Sequence, residues 1–321
     1  MPQYPQIASE WLQDKKMMYD SEGSYKVRHS DLNQYLKWLQ NNSKSFEPIE
    51  KTRHKNLLHR YFLNLKDEGY SRNTIASRWS TLSIFYGDMA GFYNKIDETP
   101  FEELFSRSSY IPDKTREETK SEKPYVTRKQ KEKLCDNVPS PAFRNETMIR
   151  LMWQTGLRQS EVANLKVGDI DLDANKLSKF WSPKVKIERT VTFKDSLSWW
   201  LDQWLNAGYR SAYTGASDSQ YLFLTHRSEK MANAQPNNII KNTAENAGIQ
   251  YPRIEEDKAG KTRWAITSHA IRRGHAMHLL KNDVDLRTIQ KRLGHAKLQT
   301  SIEYLPISPE DTSEKIESIQ F

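Results

Sequence analysis

Apolar residues between positions 24 and 109 recur three and four residues apart, which is the spacing of one face of an α-helix. The pattern predicts three long helices, and TPFEELFSR predicts a short fourth one. Gly69 is expected to end the second helix, and Ser71 or Asn73 to cap the third. We therefore predict a helical domain over residues 1–109. The expected buried positions are Leu32, Tyr35, Leu36, Leu39, Leu57, Leu58, Tyr61, Phe62, Leu65, Ile75, Trp79, Leu82 and Phe85.

The stretch SSYIPDKTREETKSEKP, residues 108–124, has no apolar periodicity and is dense in charge. Such a composition is typical of a connection between domains. We place a linker at residues 110–123 and a second domain at residues 124–321.

The second domain mixes helical and strand periodicities. TRKQKEKLCDNV and RNETMIRLMWQTG predict helices, the latter closed by Gly156. A short helix follows, and then Ile187, Arg189, Val191 and Phe193 alternate with polar residues as in a half-buried strand. DSLSWWLDQWL and NNIIKNTAENAGI predict helices and QYLFLTH a short strand. The fold class is therefore mainly α with a small β-sheet.

Composition indicates a globular protein, with 36% hydrophobic and 28% charged residues. No stretch approaches the roughly 18 apolar residues of a membrane span. The start, MPQYPQIASEW, lacks the pattern of a signal peptide, so we expect a cytoplasmic protein. Cys135 is the single cysteine, and we expect it to be a structural thiol.

The charge distribution points to a polyanionic partner. The net charge is +8, and residues 258–304 contain ten lysine and arginine residues but only three aspartate and glutamate residues. A solvated helical face usually mixes the two signs more evenly. We therefore expect a nucleic acid as the partner.

The common sequence motifs for nucleotide and zinc binding are absent from this chain. The glycines form neither a dinucleotide-binding nor a P-loop pattern, and no zinc-type spacing occurs, so we expect no cofactor and no metal. In SHAIRRGHAMHLL, His275 and His278 lack a nearby carboxylate, so we expect no shared metal site, and we expect His278 to pack or to cap the helix. His269 and Arg272 share a helical face, which suits an anionic substrate whose reaction moves a proton.

The segments TGLRQSEVANL, SHAIRRGHAMHLL and DLRTIQKRLGHAKLQTSIEY follow one another in order and spacing. Together they resemble the tyrosine recombinase family, which includes lambda-integrase-like and Xer-like enzymes. The resemblance covers residues 124–305, and the N-terminal part more loosely resembles the SAM-like core-binding domain of that family. It implies a site-specific recombinase or integrase that cleaves and rejoins DNA through a 3′-phosphotyrosyl intermediate, without metal or nucleotide.

The resemblance also implies roles for five residues. Tyr304 would be the nucleophile, and Arg158 and Arg272 would clamp the oxygens of the scissile phosphate. His269 would accept the tyrosine proton or hold the phosphate, and His295 would donate a hydrogen bond to a non-bridging oxygen. Because the transition state carries extra negative charge, two arginines are worth more there than in the ground state.

The acid for the leaving 5′-oxygen is a lysine on a β-hairpin in this family. Lys184 matches that position better, counted back from Glu188 and Arg189, and Lys186 is the alternative. Glu161 would orient an arginine or a backbone amide, or else be a plain helix carboxylate.

Further positive charges are expected to contact the DNA backbone, namely Arg273, Lys291 and Arg292.

Three positions near the site depart from the pattern of the family, which bears on the packing there. Arg273 stands where most relatives have histidine, His275 where they commonly have an aromatic residue, and Met277 where they have threonine. The spacer between Arg158 and the candidate lysine is also slightly long.

The implied partners are double-stranded DNA and three further copies of the chain, because recombination joins two DNA sites. The tail PISPEDTSEKIESIQF can form a short helix that either passes to a neighbouring protomer or folds onto its own domain. We expect no additional arm-binding domain.

A type IB topoisomerase and a catalytically inactive DNA-binding protein are the alternative functions. The N-terminal domain favours a recombinase over a topoisomerase, and the complete motif set favours it over an inactive protein.

Overall fold

The computed structural model describes residues 5–19, 22–104, 106–113, 123–182, 187–254 and 262–294. The chain divides into two compact units, Met1–Ser121 and Glu122–Phe321. The first unit is mostly helical in its described part, and the second combines helices with two small sheets, as the predicted fold class requires. No helix among the described residues is both long enough and apolar enough to cross a membrane.

The described part of the first unit consists of helices. They are α1 (Gln6–Met18), α2 (Glu22–Asn41), α3 (Lys51–Asp67), α4 (Arg72–Gly91), a 3₁₀ turn (Pro100–Glu103) and α5 (Arg107–Tyr110). The Ser71 side chain accepts a hydrogen bond from the Thr74 amide, which settles the cap of α4. Gly69 follows the end of α3 with a φ of +72°, as a helix stop requires.

The core of this unit is built from the predicted apolar faces and is rich in aromatic rings. The predicted positions are buried, with Trp79 only partly so. Helix α1, which the apolar pattern did not predict, adds Trp11 to this core. Within TPFEELFSR, Pro100–Glu103 forms a 3₁₀ turn that the Thr99 side chain caps, and the chain is extended at Leu104.

The first two residues of the predicted linker pack against the first unit. Tyr110 and Ile111 are buried in the core of the first unit. The hydroxyl of Tyr110 lies 2.8 Å from Nδ1 of His59. These contacts make the two residues part of the first unit.

The second unit combines helices with two small antiparallel sheets. Its helices are α6 (Arg128–Asp136), α7 (Ala142–Thr155), α8 (Gln159–Asn164), a 3₁₀ turn (Val167–Asp169), α9 (Asp195–Asn206), α10 (Gln235–Asn246), α11 (Ser268–Leu280) and α12 (Leu286–Leu293). Its strands are β1 (Ile170–Asp171), β2 (Lys176–Ser182), β3 (Ile187–Thr192), β4 (Pro252–Ile254) and β5 (Arg263–Trp264).

Strands β1, β2 and β3 form a three-stranded sheet in that order, and β4 pairs with β5. In the first sheet Leu177 is opposite Val191 and Trp181 is opposite Glu188. Val191 and Arg189 on β3 are buried while Glu188 and Thr190 are exposed, which confirms the predicted alternation.

QYLFLTH does not form a strand. Only isolated bridges occur there, at Tyr221 and Thr225. The side chains of Leu222, Phe223 and Leu224 are all fully buried, so this segment does not alternate between a buried and a solvated face. The chain instead runs through the core as an irregular segment.

Helix α11, which carries the stretch SHAIRRGHAMHLL, lies against α7 and the segment before α6. A Cβ atom at Gly274 would lie 2.1 Å from the carbonyl oxygen of Val126 and 2.8 Å from the Trp153 ring. Only glycine allows this approach. It fixes the depth at which α11 is packed, and therefore the position of Arg272 relative to α7.

Candidate active site

Arg158 stands at a sharp change of direction between α7 and α8. Gly156 ends α7 in the left-handed region, with a φ of +66°. A Cβ at this position would lie 2.6 Å from the ring of His275, so the turn needs glycine for two reasons. Arg158 is the N-cap residue of α8, and its amide donates to Oε2 of Glu161 at 2.8 Å.

Glu161 is the acceptor around which the site is organised. Its side chain is fully buried. Nη1 of Arg158 lies 2.9 Å from Oε1, Nη2 of Arg189 lies 2.9 Å from Oε2, and Nη1 of Arg272 lies 3.9 Å from Oε2. The hydroxyl of Ser182 on β2 also donates to Oε1. One carboxylate thus connects α8, the β2–β3 hairpin and α11.

Glu161 remains ionised despite its burial. Burial raises the pKa of this carboxyl, but the charge of Arg189, the Ser182 hydroxyl and the amide and charge of Arg158 together lower it more. The net result is a pKa below its ordinary value. The carboxylate is therefore a fixed negative charge within the arginine cluster.

The end of α12 is held by three arginines at three successive carbonyl groups. Each guanidinium comes from a different element and donates to one of the carbonyls of residues 292–294. Carbonyl groups at the end of a helix have no N–H donor within the helix. The bonds run from Arg189 to Arg292, from Arg272 to Leu293 and from Arg158 to Gly294. We call these three carbonyls the α12 exit, since the chain passes from them directly to His295.

Arg158 and Arg272 differ in their access to solvent. The Arg158 side chain is 11% exposed, whereas that of Arg272 is 1% exposed. Arg272 also donates to the carbonyl of Gly156, so it ties α11 to the end of α7 as well as to α12. Both guanidinium groups are thereby oriented by protein atoms.

His269 lies in the first turn of α11, one turn before Arg272, and its side chain is exposed. The preceding residue, Ser268, is buried, and its hydroxyl lies 3.0 Å from Oδ1 of Asn237 and 3.0 Å from Oε1 of Gln159. The Thr267 side chain caps the helix. These contacts fix the start of α11, and with it the backbone of His269, beside α8 and α10.

His275 is buried among protein groups. Its Nδ1 donates to the carbonyl of Trp153 at 2.7 Å, and its Nε2 accepts from Nε of Arg292 at 3.1 Å. Burial, and next the charge of Arg292, lower its pKa to about 3. The imidazole is therefore neutral and joins α11, α7 and α12. His278 is exposed, and its ring lies 5.7 Å from that of Trp153.

The environments of Arg273 and Arg292 argue against the expected contacts with the DNA backbone. Arg273 is 9% exposed, and its Nε donates to the carbonyl of Pro124 at 2.7 Å. Arg292 donates to the carbonyls of Gln154 and Thr192 besides His275. In both arginines, carbonyl groups of the domain itself accept guanidinium donors, which favours a role in packing over one in DNA binding. Lys291 is exposed and remains a candidate.

The structure brings together three of the residues expected at the site, Arg158, Glu161 and Arg272. Four others lie outside the described residues: Lys184, Lys186, His295 and Tyr304.

Arg189 and Ser182 were not expected to belong to the site. The available signal was the position of Arg189 on the apolar side of an alternating strand, where an arginine needs an anionic or carbonyl partner.

The cluster carries an excess of positive charge. Arg158, Arg189 and Arg272 contribute three charges and Glu161 offsets one, which leaves two positive charges among these contacting residues. Among the described residues, no group of three or more histidine, cysteine, aspartate or glutamate side chains could hold a metal ion. Cys135 is buried, and burial raises its thiol pKa to about 12, as suits a structural thiol.

Solved structures of DNA recombinases and integrases share this fold. The chain matches the Tn1549 transposon integrase in complex with circular intermediate DNA with a TM-score of 0.66 and 16% identity, over 98% of this chain and 99% of that one. It matches a lambda integrase dimer bound to a COC′ core site with a TM-score of 0.65 and 14% identity, over 93% of each chain.

Curated relatives are tyrosine recombinases. The chain is 27% identical over 284 residues to the tyrosine recombinase XerC of Herpetosiphon aurantiacus, covering 87% of this chain and 83% of the relative. It is 25% identical to XerD of Oceanobacillus iheyensis, covering 87% and 85%. Residues 124–310 match the profile of the phage integrase family, and the chain belongs to that family. The resemblance to tyrosine recombinases is confirmed.

Proposed function

We propose that this protein is a site-specific DNA recombinase that cleaves and rejoins DNA strands through a 3′-phosphotyrosyl intermediate. The observation that carries the proposal is the buried cluster of Arg158, Arg189 and Arg272 around the single carboxylate of Glu161. An unbalanced buried charge is costly unless a partner of opposite sign completes it. A phosphodiester supplies that partner.

The cluster suits phosphoryl transfer more than phosphate binding alone. The pentavalent transition state carries more negative charge on its oxygens than the ground state. Once DNA is bound, guanidinium groups that Glu161 holds in place do not need to reorganise as that charge develops. Their interaction energy therefore lowers the barrier more than it tightens binding.

Residues of the family motif complete the reaction. The Tyr304 oxygen attacks phosphorus, its proton passes to His269 or to solvent, and the bond to the 5′-oxygen breaks as Lys184 or Lys186 protonates that oxygen. His295 donates a hydrogen bond to a non-bridging oxygen. The phosphotyrosyl bond retains the energy of the broken diester, so attack by another 5′-hydroxyl rejoins the strands without metal or nucleotide.

Arg272 must become accessible for this function. With 1% of its side chain exposed, it cannot reach a phosphate unless the groups that cover it move when DNA binds. Arg158, at 11%, is the guanidinium that an incoming phosphate meets first. A guanidinium carries five N–H donors, so one group can hold a backbone carbonyl and a phosphate oxygen together.

Double-stranded DNA is the proposed substrate, bound by the catalytic domain and by the helical first unit acting as a core-binding domain. Phosphate contacts should dominate the affinity, which should fall steeply with salt. Recombination between two sites calls for four protomers, with exchange of the C-terminal tail between them as one means of assembly. The proposed location is the cytoplasm, associated with DNA.

A covalent-trapping assay tests the proposal. Wild-type protein and the variants Tyr304→Phe and Tyr251→Phe are incubated, without divalent metal, with duplexes from the flanks of the protein's own gene. Each duplex carries a nick that releases the cleaved fragment. Tyr251, which is half-exposed and outside the motif, provides the matched control. We expect protein-linked DNA on a denaturing gel for wild type and Tyr251→Phe only.

The products separate recombination from other outcomes. Exchange of strands between two duplexes supports a recombinase, whereas relaxation of supercoiled DNA without exchange indicates a topoisomerase. A covalent adduct that persists in Tyr304→Phe contradicts the assignment of the nucleophile. Specific binding with no adduct in any of the proteins contradicts the catalytic proposal.

A further inference from the structure

The Arg189 side chain connects three parts of the catalytic unit. It is 7% exposed and extends from β3. Its Nη1 donates to the carbonyl of Arg292 at 2.8 Å, and its Nη2 lies 2.9 Å from Oε2 of Glu161. The guanidinium carbon lies 5.0 Å from the centre of the Phe180 ring on the neighbouring strand. One arginine therefore holds the α12 exit, the central carboxylate and the hairpin in a fixed relation.

The α12 exit is shaped to receive this arginine. Gly294 has a φ of +62°, and a Cβ there would lie 2.8 Å from Nη1 and 2.9 Å from Cδ of Arg189. The guanidinium thus rests directly on the glycine backbone, where a side chain would displace it. The next residue in the chain is His295, so the contact fixes the point from which that residue departs.

The same arginine orients the carboxylate that Arg158 uses. Oε2 of Glu161 receives the Arg158 amide at 2.8 Å and lies 2.9 Å from Nη2 of Arg189, while Oε1 faces Nη1 of Arg158. Loss of Arg189 would remove one of the groups that hold Oε2 of Glu161 and would leave the carbonyl of Arg292 without this donor. The first change affects Arg158 and the second affects the α12 exit that leads to His295. Neither removes a residue that the proposed function places at the phosphate.

We propose that Arg189 is a positioning residue for strand cleavage. It fixes the α12 exit, from which the chain continues to His295, and it helps to hold Glu161 in the orientation that aligns Arg158. The inference rests on the proposed function for its catalytic consequence. The anchoring itself is a property of the protein without DNA and is tested separately.

Hydrogen exchange measures the anchoring directly. In Arg189→Met we expect the amides of Leu293 and Gly294 to exchange at least about 10-fold faster than in wild type. The matched control is Arg150→Met, because Arg150 also pairs with a glutamate, at 2.6 Å, and lies 4.5 Å from a tryptophan ring. Unchanged exchange at the α12 exit in Arg189→Met overturns the anchoring role.

Single-turnover formation of the covalent adduct measures the catalytic consequence. We expect Arg189→Met to lower this rate about 10- to 100-fold while the Kd for DNA changes less than about 3-fold, since a small misplacement of catalytic groups is costly to rate. Arg189→Lys keeps the charge but cannot contact Glu161 and the carbonyl of Arg292 at the same time. We therefore expect a rate between those of wild type and Arg189→Met, and a melting curve like that of wild type. A loss of rate matched by an equal loss of affinity overturns the positioning role.

A double variant shows whether Arg189 acts through the α12 exit. If it positions His295, then Arg189→Met should slow a His295→Ala protein less than about 3-fold, because the group it positions is already gone. If the rate losses of Arg189→Met and His295→Ala multiply in the double variant, Arg189 does not act through His295. A wild-type protein that forms no adduct contradicts the proposed function instead, and hydrogen exchange still decides the anchoring.

Discussion

Arg292 donates its Nε–H to Nε2 of His275, a buried histidine whose Nδ1–H is bound to the carbonyl of Trp153. Because Nε2 must accept this bond, the imidazole has to be neutral. Protonation would place a cation against the guanidinium of Arg292 in a buried site. The contact that joins α12 to α11 and α7 is therefore sensitive to acid.

We predict that both units lose stability as the pH falls below about 6.5. Burial lowers the pKa of His275 to about 3, and burial likewise lowers that of His54 in the first unit to about 4. The folded protein therefore binds fewer protons than the unfolded chain below the ordinary histidine pKa of about 6.5. The stabilisation is complete above that pH and is lost as the pH falls towards the folded values, by about 1.4 kcal/mol per pH unit for each histidine.

Urea unfolding at pH 7.5 and pH 5.5 measures this effect. We expect the second unit of His275→Gln to be less stable than wild type at pH 7.5 but to lose less stability on acidification. His278→Gln, an exposed position on the same helix, should retain the pH dependence of the wild type. Equal pH dependence in His275→Gln and wild type would show that His275 does not titrate in the predicted way.

Local signals in the sequence predicted the elements that position the site. The left-handed glycine at position 156 ends α7, and the alternating segment that begins at Ile187 forms β3, which ends at Thr192. The resemblance to the tyrosine recombinase family also implied that Arg158 and Arg272 act on the same phosphate, and both contact Glu161. These signals work because they depend on contacts within a few residues or on a resemblance across the whole motif.

Arginine roles were less predictable, because they depend on contacts between distant parts of the chain. Arg189 bonds to a carbonyl 103 residues away, which no local pattern reveals. Arg273 and Arg292 resemble surface cations in a basic segment, yet carbonyl groups accept their donors inside the domain. A count of charges indicates the class of partner but not which cations reach it.

Replacement of Gly294 by alanine should disturb the α12 exit more than the backbone angle alone explains. A left-handed φ costs a non-glycine residue about 1–2 kcal/mol. At Gly294 the new methyl would also displace Arg189. Gly248→Ala is the matched control, since its φ is +64° and nothing lies within 4 Å of its Cβ position.

We expect Gly294→Ala to lower the rate of adduct formation about 10-fold or more, and Gly248→Ala to leave that rate within about 2-fold of wild type. Melting curves and single-turnover assays measure the two effects. Equal losses of stability and of rate in the two variants would contradict the steric argument.

Removal of the Glu161 charge should destabilise the catalytic unit strongly. Glu161→Gln keeps the shape of the side chain but leaves Arg158, Arg189 and Arg272 without their shared carboxylate. Breaking a buried ion pair by removing one partner costs about 3–5 kcal/mol. Glu146→Gln, which removes the partly exposed i,i+4 partner of Arg150, should cost about 0.5 kcal/mol. Denaturant unfolding compares the two, and a similar small cost for both would show that Glu161 is not the centre of the cluster.

Lys291 and Arg273 should differ in their contribution to DNA binding although both were expected to contact the backbone. Lys291 is exposed on α12, whereas Arg273 is bound to the carbonyl of Pro124. Each lost phosphate contact lowers the slope of log Kd against log salt concentration by about 0.9. We expect this change in Lys291→Ala, measured by fluorescence anisotropy with a nonspecific duplex between about 50 and 200 mM salt.

Lys176→Ala provides the matched control, because Lys176 on β2 pairs with Asp171 on β1 at 3.2 Å and is not assigned to DNA. Its slope should equal that of the wild type. Arg273→Met should likewise keep the slope but melt at a lower temperature, since it loses a buried hydrogen bond rather than a phosphate contact. A reduced slope in Arg273→Met together with an unchanged slope in Lys291→Ala would reverse the assignment of the two residues.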